Sequence, residues 1–306
     1  MSQALRIGLA GLGTVGAAVF RLLSEKSEHV MARAGRPVKV TGVCARSRDR
    51  DRGIDLSGVT WHDDPVALAV ADDVDVFVEL IGGDGDPAGA GGRAALSAGK
   101  PVVTANKALL AAHGVELALL AEANNTTIGY EAAVAGGIPI IKTLREAVAG
   151  NRISRVYGIL NGTCNYILTR MEEEGLSFAD CLAEAQRLGY AEADPTFDVD
   201  GIDAAHKLAL LSALAFGHAV DFKAVHTEGI RSISALDIAY AEEFGYRIKL
   251  LGVALRTDSG VEQRVHPTMV PKNTAIAEVG GVSNCVAIHG YFVGDVMLVG
   301  PGACCC

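Results

Sequence analysis

Hydrophobic positions in the first part of the chain form short apolar runs separated by segments with helical spacing. The runs at 6–10, 38–44, 74–80 and 101–104 predict strands, and the continuous run at 74–80 is typical of a buried parallel sheet. After the run 6–10 and a glycine-rich turn, apolar residues recur at the spacing of a helix. This alternation of strands and helices predicts an α/β domain with a parallel sheet.

The alternation becomes less regular from about residue 127. A turn of small residues begins at Glu131. Helices are predicted near 140–149 and on both sides of an acidic loop that begins at Gly189, and the second of these two runs from 202 to 216. Strands are predicted at 153–159, 248–255 and 282–288. This pattern indicates a separate α+β domain that begins near residue 131.

The glycine-rich turn fits the binding of a dinucleotide. A GxGxxG sequence between a strand and a helix lets the backbone N–H groups at the helix start approach a pyrophosphate. The candidate cofactor-binding residues are Gly11, Leu12, Gly13, Thr14, Val15 and Gly16.

The end of the second strand indicates which dinucleotide is bound. An Asp or Glu there would favour NAD, but Cys44 is followed by Ala45 and Arg46. Arginine suits a 2′-phosphate, and Arg48 could assist it. We therefore expect NADP to be preferred and NAD to remain possible.

Two further features belong to the first domain. The glycine-rich stretch 82–92 predicts a loop, which is either a flexible lid or a simple connection. Lys107 follows the strand 101–104 and opens a helix. Such sheets bind ligands at the carboxyl ends of their strands, and a lysine at a helix start is unfavourable to the helix dipole, so this placement indicates use.

An acidic segment leads into a helix in the second domain. Asp203 and Lys207 are four residues apart in that helix, a spacing at which an exposed ion pair contributes about 0.3–0.5 kcal/mol. The other faces of the helix are apolar, which predicts that both charges point inward. From the residues alone, a functional lysine and a structural ion pair are equally open. The carboxylates of the segment 189–207 are Glu192, Asp194, Asp198, Asp200 and Asp203.

The same segment does not fit a calcium-binding EF-hand. Asp198, Asp200 and Gly201 match positions three, five and six of such a loop. Position one would be a threonine and position twelve would be Lys207, where the site needs a bidentate Glu. We therefore exclude a calcium loop.

Composition and charge exclude several classes of function. The chain has 306 residues and a net charge of -9, and its only basic cluster, at 46–52, is interrupted by acids, so nucleic-acid binding is not expected. No apolar run approaches the roughly 18 residues that span a bilayer, and the amino terminus does not resemble a signal peptide, so we expect a cytoplasmic protein without membrane contact.

The seven cysteines form no CxxC pair, which argues against a zinc site or a disulfide framework. Cys164 is interpreted as a buried spectator thiol rather than a nucleophile. The terminal run Cys304, Cys305 and Cys306 is unusual for a natural element. It suggests that a longer reading frame was cut or altered.

Several segments of the chain form recognisable motifs: GLGTVG (11–16), TANKALLA (104–111), EAAVAGGIPII (131–141), NGTCNYIL (161–168), the acidic segment, and VHPTMVP (265–271). Together these motifs resemble one family, homoserine dehydrogenase. The family reversibly reduces aspartate 4-semialdehyde to homoserine with NADPH or NADH, in the route to threonine and methionine. The resemblance implies a Rossmann-type NAD(P)-binding domain at 1–130, a catalytic and dimerisation α+β domain at 131–298, and a homodimer.

The resemblance also implies roles for single residues. Lys207 would donate a proton to the aldehyde oxygen, and Lys107 would lie between the nicotinamide and the substrate. Gly302 would lie near the cofactor. The substrate pocket would hold Glu192, Asp198 and Asp203, and the backbone oxygens of a turn would bind a structural sodium ion at Glu131, Val134, Gly136 and Ile138.

The chain departs from the family pattern at its end. After Gly302 and Ala303 the family normally continues into a helix that packs on the nucleotide domain, whereas this sequence has Cys304, Cys305 and Cys306 there. Many members also carry an ACT regulatory domain, which we do not expect here. We expect a truncated short form, with a return segment at 299–306 and a weakened cofactor domain. Two alternatives remain: another Rossmann semialdehyde oxidoreductase with a cysteine nucleophile, and an inactive dinucleotide-binding fragment.

Overall fold

A computed structural model describes residues 3–302 of the chain. They form two compact units, the first ending at Ala133 and the second beginning at Val134. The predicted fold class is confirmed, because the first unit holds a parallel Rossmann-type sheet and the second a mixed sheet with helices. No helix among the described residues is long and apolar enough to cross a membrane.

The first unit alternates strands and helices, as its hydrophobic pattern predicts. Its strands are β1 (Leu5–Ala10), β2 (Val38–Cys44), β3 (Thr60–His62), β4 (Val76–Glu79), β5 (Val102–Thr104) and β6 (Ile128–Gly129). Its helices are α1 (Thr14–Glu25), α2 (Ser27–Ala34), α3 (Pro65–Val70), α4 (Ala88–Ser97) and α5 (Lys107–Ala123), followed by a 3-10 turn (Glu131–Ala133).

The six strands of the first unit are parallel and lie in the order β3-β2-β1-β4-β5-β6. Leu9 and Phe77, on the adjacent strands β1 and β4, are fully buried in the core of this sheet. This strand order is that of the dinucleotide-binding fold, in which ligands bind outside the carboxyl ends of the strands where the order reverses. That point lies between the ends of β1 and β4.

Helix α4 corrects one sequence prediction. The glycines of 82–92 predict a loop, but the chain is helical from Ala88, so the prediction is wrong for the second half of the stretch. Close packing is the reason, because a Cβ on Gly91 would lie 2.8 Å from the ring of Phe77 and 3.0 Å from the Cβ of Pro65. Glycine lets this helix approach its neighbours, and that packing outweighs the low helix propensity of glycine.

The second unit is α+β, with three strands that the sequence pattern misses, at 226–227, 260–271 and 294–301. Its helices are α6 (Ile140–Lys142), α7 (Gly162–Glu174), α8 (Phe178–Arg187), α9 (Thr196–Val199), α10 (Ile202–Phe216) and α11 (Ala235–Glu243). A π-helical turn (Thr143–Ala147) continues α6 where a regular helix is predicted. Its strands are β7 (Ile153–Ile159), β8 (His226–Thr227), β9 (Tyr246–Thr257), β10 (Gly260–Pro271), β11 (Ser283–Gly290) and β12 (Gly294–Pro301).

The second sheet has the strand order β12-β11-β7-β9-β10-β8 and is antiparallel except for the pair β10 and β8. Helices α7 and α10 pack against it, and Ala205, Leu208 and Leu211 of α10 are fully buried. The chain passes from β7 into α7 through only two residues, 160 and 161. This connection brings polar groups of the NGTCNY segment next to α10.

The carboxyl-terminal strand includes part of the expected return segment. Residues 299–301 lie in β12, where Pro301 pairs with Ser283 of β11. Residues 303–306, with Cys304, Cys305 and Cys306, lie outside the described residues.

Candidate active site

The glycine turn joins β1 to α1 in the first unit. Gly11 has a left-handed φ of +99°, and a Cβ on it would lie 2.3 Å from the carbonyl oxygen of Leu80. Helix α1 begins at Thr14 without a side-chain cap and without an acidic residue in its first turn. The open N–H groups and the positive end of the helix dipole form an anion site, so the residues present fit a dinucleotide pyrophosphate.

The loop after β2 carries the residue predicted to bind a 2′-phosphate. Arg46 and Arg48 are exposed and form no ion pair within residues 3–302. Arg52 holds this loop, because its guanidinium donates one hydrogen bond to the backbone oxygen of Leu12 and two to backbone oxygens of the loop itself. The loop is therefore tied to the glycine turn, and no carboxylate directly follows β2.

The sequence pattern does not predict a buried polar network that lies at the carboxyl ends of β4 and β5. Glu79 is fully buried. Its Oε1 accepts the N–H groups of Ile81 at 2.7 Å and Gly82 at 3.2 Å, and its Oε2 accepts the hydroxyl of Thr104 at 2.6 Å. The network therefore joins the turn after β4 to the end of β5.

Asn106 extends this network to the start of α5. Its N–H donates to Thr104 Oγ1 at 2.9 Å, and its Nδ2 donates to the carbonyl oxygen of Gly83 at 2.7 Å. Its Oδ1 accepts the N–H of Leu109 at 3.1 Å and so caps the helix. The half-buried Lys107 is the first residue of α5, at the edge of the sheet where its sequence position predicts it.

The predicted ion pair on α10 is buried in the second unit. Lys207 Nζ lies 2.7 Å from Asp203 Oδ2, and the two side chains are only 11% and 7% exposed. The structure confirms that both charges face inward, which excludes an exposed pair. Nζ also donates to the carbonyl oxygen of Leu160 at 2.7 Å. An ammonium has three N–H donors, so within residues 3–302 one remains for a further acceptor.

Asn161 connects this ion pair to a second carboxylate, that of Asp198. Its Nδ2 donates to Asp198 Oδ1 at 2.8 Å and to Asp203 Oδ2 at 2.9 Å. Its Oδ1 accepts the N–H of Cys164 at 2.8 Å and caps α7. The two N–H groups of one amide thus hold two carboxylates together. The sequence analysis does not single out Asn161, although an asparagine between a strand and a helix is the capping signal that would reveal it.

The acidic segment divides into inner and outer carboxylates. Asp198 is partly buried and belongs to the inner group with Asp203. Asp200 forms an ion pair with Arg231 in a more exposed position. Glu192 is exposed, and its carboxylate forms no hydrogen bond or ion pair within residues 3–302. The structure therefore brings two of the three predicted pocket carboxylates to the lysine and leaves Glu192 outside this cluster.

Cys164 lies beside the inner carboxylates but lacks the character of a nucleophile. It is fully buried, and its Sγ donates to the carbonyl oxygen of Asp198 at 3.2 Å. Burial, with a smaller contribution from the charges of Asp198 and Asp203, raises the pKa of this thiol well above its ordinary value. A thiolate is therefore disfavoured, which argues against cysteine-dependent semialdehyde chemistry at this position.

The predicted sodium ligands lie in a turn of small residues. Glu131 belongs to the 3-10 turn of the first unit, and Val134, Gly136 and Ile138 belong to the second. The carbonyl oxygen of Ile138 accepts the N–H of Ile140 at 2.8 Å. Those of Val134 and Gly136 accept no hydrogen bond within residues 3–302, so they fit a hard cation that takes oxygen ligands.

The end of β12 pairs with this turn. The N–H of Gly136 donates to the carbonyl oxygen of Gly302 at 2.9 Å, and the N–H of Gly137 donates to that of Pro301 at 3.1 Å. Gly302 packs so closely on Asn284 that a Cβ would lie 1.5 Å from its Oδ1. The structure thus places Gly302 beside the predicted sodium turn.

Two family models match the chain over nearly its whole length. The model described as "Homoserine dehydrogenase, NAD binding domain" matches residues 11–131, and the model described as "Homoserine dehydrogenase" matches residues 139–305. The first contains the glycine turn and Lys107, and the second contains the inner carboxylates and Lys207.

Relatives and solved structures agree with these models. The homoserine dehydrogenase of Neisseria gonorrhoeae is 50% identical over 299 residues, which cover 98% of this chain and 68% of that protein. The crystal structure of the enzyme from Thiobacillus denitrificans is 48% identical with a TM-score of 0.94, covering 98% of this chain and 69% of that one. A hyperthermophilic archaeal homoserine dehydrogenase in complex with NADPH is 29% identical with a TM-score of 0.82, covering 98% and 92%.

Replacing Asn161 separates its two structural tasks. We expect Asn161→Ser to lower the free energy of unfolding by about 1–3 kcal/mol, because two inner carboxylates lose a donor. Asn161→Ala should lose about 1 kcal/mol more, because serine can still cap α7 and alanine cannot. Chemical unfolding measures both values. Equal stability of the serine variant and the unsubstituted protein would contradict the role of Asn161 as the bridge.

Proposed function

Because the chain belongs to the homoserine dehydrogenase family, we propose that it reversibly reduces L-aspartate 4-semialdehyde to L-homoserine with NADPH and that Lys207 is the acid. The observation that carries the proposal is a buried ammonium that, in the described part of the chain, has one N–H left to donate after its bonds to Asp203 and Leu160. The nicotinamide, when bound, supplies the hydride. The task left to the protein is to stabilise and protonate the carbonyl oxygen.

Lys207 suits this task in both of its protonation states. Negative charge develops on the carbonyl oxygen during reduction, and a nearby ammonium stabilises that charge and then supplies the proton. The neutral amine that remains has two N–H groups, the number needed to keep the bonds to Asp203 Oδ2 and the Leu160 carbonyl. Proton transfer therefore leaves the position of Nζ unchanged.

Asp203 and Asn161 hold Lys207 in place. Asp203 Oδ2 accepts hydrogen bonds from both side chains, at 2.7 Å from Lys207 and 2.9 Å from Asn161. A side chain that is fixed by packing and hydrogen bonds needs no reorganisation when the substrate reacts. In this proposal Asp203 is catalytic because it stabilises the ammonium in contact with the reacting oxygen, and Asn161 is a positioning residue.

The carboxylates of the acidic segment recognise the amino group of the substrate. Asp198 is only partly buried, and a carboxylate can accept charge-assisted hydrogen bonds from a substrate ammonium. Glu192 is exposed in the described structure and would join the pocket with substrate bound. The aldehyde and the ammonium of one small substrate would then be held by groups of opposite charge.

Lys107 contributes from the first unit. It opens α5 at the carboxyl end of β5, on the edge of the sheet where dinucleotide folds bind their ligands. In the proposed mechanism its ammonium lies between the nicotinamide and the substrate and steadies or polarises both. Residues 11–16, Arg46 and Gly302 complete the cofactor contacts.

The cofactor is proposed to be NADP in preference to NAD. The family membership supports a nicotinamide dinucleotide, and the exposed Arg46 and Arg48 support the additional phosphate. The guanidinium group is suited to a phosphate. No carboxylate directly follows β2, where an Asp or Glu would bind the 2′-hydroxyl of the NAD ribose.

A structural sodium ion belongs to the same proposal. The carbonyl oxygens of Val134 and Gly136 would bind it, with Ile138 and Glu131 completing the set. The ion would stabilise the turn that pairs with Gly302 and would take no part in hydride or proton transfer.

The remaining expectations follow from the family. We propose a homodimer formed through the second domain, a cytoplasmic location and a place in threonine and methionine biosynthesis. The chain spans about two thirds of the Neisseria relative and most of the archaeal one. The competing proposal, an inactive dinucleotide-binding fragment, predicts cofactor binding without turnover.

Replacing Lys207 tests the proposed mechanism. We expect Lys207→Ala to lower kcat/KM for homoserine-dependent reduction of NADP by about 10²–10⁴-fold, since it removes the proton donor. Lys223→Ala, which removes an exposed lysine, is the matched control and should retain full activity. Full turnover of the Lys207 variant would refute the mechanism. No turnover by the unsubstituted protein would favour the inactive fragment.

Replacing Arg46 tests the cofactor preference. We expect Arg46→Ala to raise the KM for NADP roughly tenfold or more, because a charge-assisted bond to the 2′-phosphate is lost, while the KM for NAD changes little. Arg50→Ala, in the same exposed loop, controls for the loss of positive charge. Steady-state rates with both cofactors provide the measurement. An equal rise for NADP and NAD would contradict the assignment.

A further inference from the structure

Glu79 is a fully buried carboxylate that the proposed mechanism does not use. It forms no ion pair within residues 3–302, although it ends β4 inside the first unit. Burial of a carboxylate is costly unless hydrogen bonds replace its hydration. Three donors do so here: the N–H groups of Ile81 and Gly82 and the hydroxyl of Thr104. The position therefore has a specific reason to be acidic.

The backbone that Glu79 holds, at residues 81–83, is an open turn. Gly82 and Gly83 both have left-handed backbones, with φ of +86° and +82°. Both are exposed, and apart from their chain neighbours no atom of residues 3–302 lies within 4 Å of the position that a Cβ would take on either of them. Hydrogen bonds hold the two glycines: the N–H of Gly82 donates to Glu79, and the carbonyl oxygen of Gly83 accepts from Asn106.

This turn touches the parts of the first unit that face the cofactor. Leu80, the residue before it, packs its carbonyl oxygen against Gly11 of the glycine turn. Thr104 and Asn106 connect it to the start of α5. A shift at Glu79 would therefore move both the phosphate-binding turn and the helix that begins with the proposed catalytic lysine.

We propose that Glu79 is a positioning residue that sets the turn 81–83 and the start of α5, and thereby holds the nicotinamide half of the cofactor beside Lys107. This inference rests on the proposed function, in which the crevice at the carboxyl ends of β1, β4 and β5 binds NAD(P). Glu79 itself does not touch the reacting atoms. It acts through Thr104 and Asn106.

The chemistry of the network requires a carboxylate rather than an amide. Thr104 Oγ1 accepts from the Asn106 N–H and donates its proton to Glu79 Oε2. In Glu79→Gln, an amide nitrogen directed at Thr104 would leave the hydroxyl proton without its acceptor. The opposite orientation would direct that nitrogen at the N–H groups of Ile81 and Gly82. Either orientation places a donor where an acceptor is needed.

The test compares three single variants and one double variant in the full chain. Fluorescence titration gives the Kd for NADPH and NADH, steady-state rates give kcat with homoserine, and thermal unfolding confirms that each variant is folded. Glu79→Gln and Thr104→Val remove the bond from either side without a large change in volume. Thr104→Ser retains the hydroxyl and is the matched control.

We expect Glu79→Gln and Thr104→Val each to raise the Kd for NADPH roughly tenfold or more, with a similar factor for NADH, because the nicotinamide half is common to both. Thr104→Ser should bind like the unsubstituted protein. The double variant Glu79→Gln/Thr104→Val should bind no worse than Glu79→Gln alone, because both changes break one network.

Two results would overturn the inference while the proposed function stands. The first is a folded Glu79→Gln variant whose Kd and kcat equal those of the unsubstituted protein, even if its thermal stability is lower. The other is a loss confined to NADPH, which would place the effect at the 2′-phosphate instead. Failure of the unsubstituted protein to bind either dinucleotide would overturn both the inference and the proposed function.

Discussion

The need to satisfy a buried ammonium organises the polar interior of the second unit. Lys207 is largely removed from water, and loss of a partner from such a pair costs about 3–5 kcal/mol because the remaining charge stays buried. Asp203 supplies the opposite charge from the same helix, and the Leu160 carbonyl supplies an acceptor from the end of β7. Asn161 then links Asp203 to Asp198 through its amide N–H groups. Three helices and a strand are thus fixed around one charge.

The two units satisfy their buried charges in different ways. Each oxygen of Glu79 has protein donors, and this carboxylate organises backbone around the cofactor crevice. Lys207 has two acceptors among residues 3–302 for its three N–H groups, which leaves one donor for the proposed contact with substrate. A fully satisfied charge acts as a structural anchor, whereas one that keeps a free donor is available for chemistry. This difference is the reason that we propose Glu79 as a positioning residue and Lys207 as the acid.

Sequence reasoning succeeds where one local pattern decides the outcome. The apolar run before Gly11 predicts the first strand and its turn, and the absence of a polar face around Lys207 predicts that this lysine points inward. It fails where partners come from distant segments. The helix at Gly91 depends on contacts with Phe77, and the role of Glu79 becomes visible only when β4 and β5 are adjacent. The motif resemblance supplies the substrate, which periodicity alone cannot.

A crystal structure of the protein with L-homoserine bound would show whether Lys207 is placed to be the proton donor. We expect the substrate hydroxyl oxygen to lie about 2.7–3.2 Å from Lys207 Nζ, at hydrogen-bonding distance, while Nζ keeps its bonds to Asp203 and the Leu160 carbonyl. Binding of the hydroxyl to another residue, with Lys207 still enclosed by its present partners, would contradict the assignment of this lysine as the proton donor.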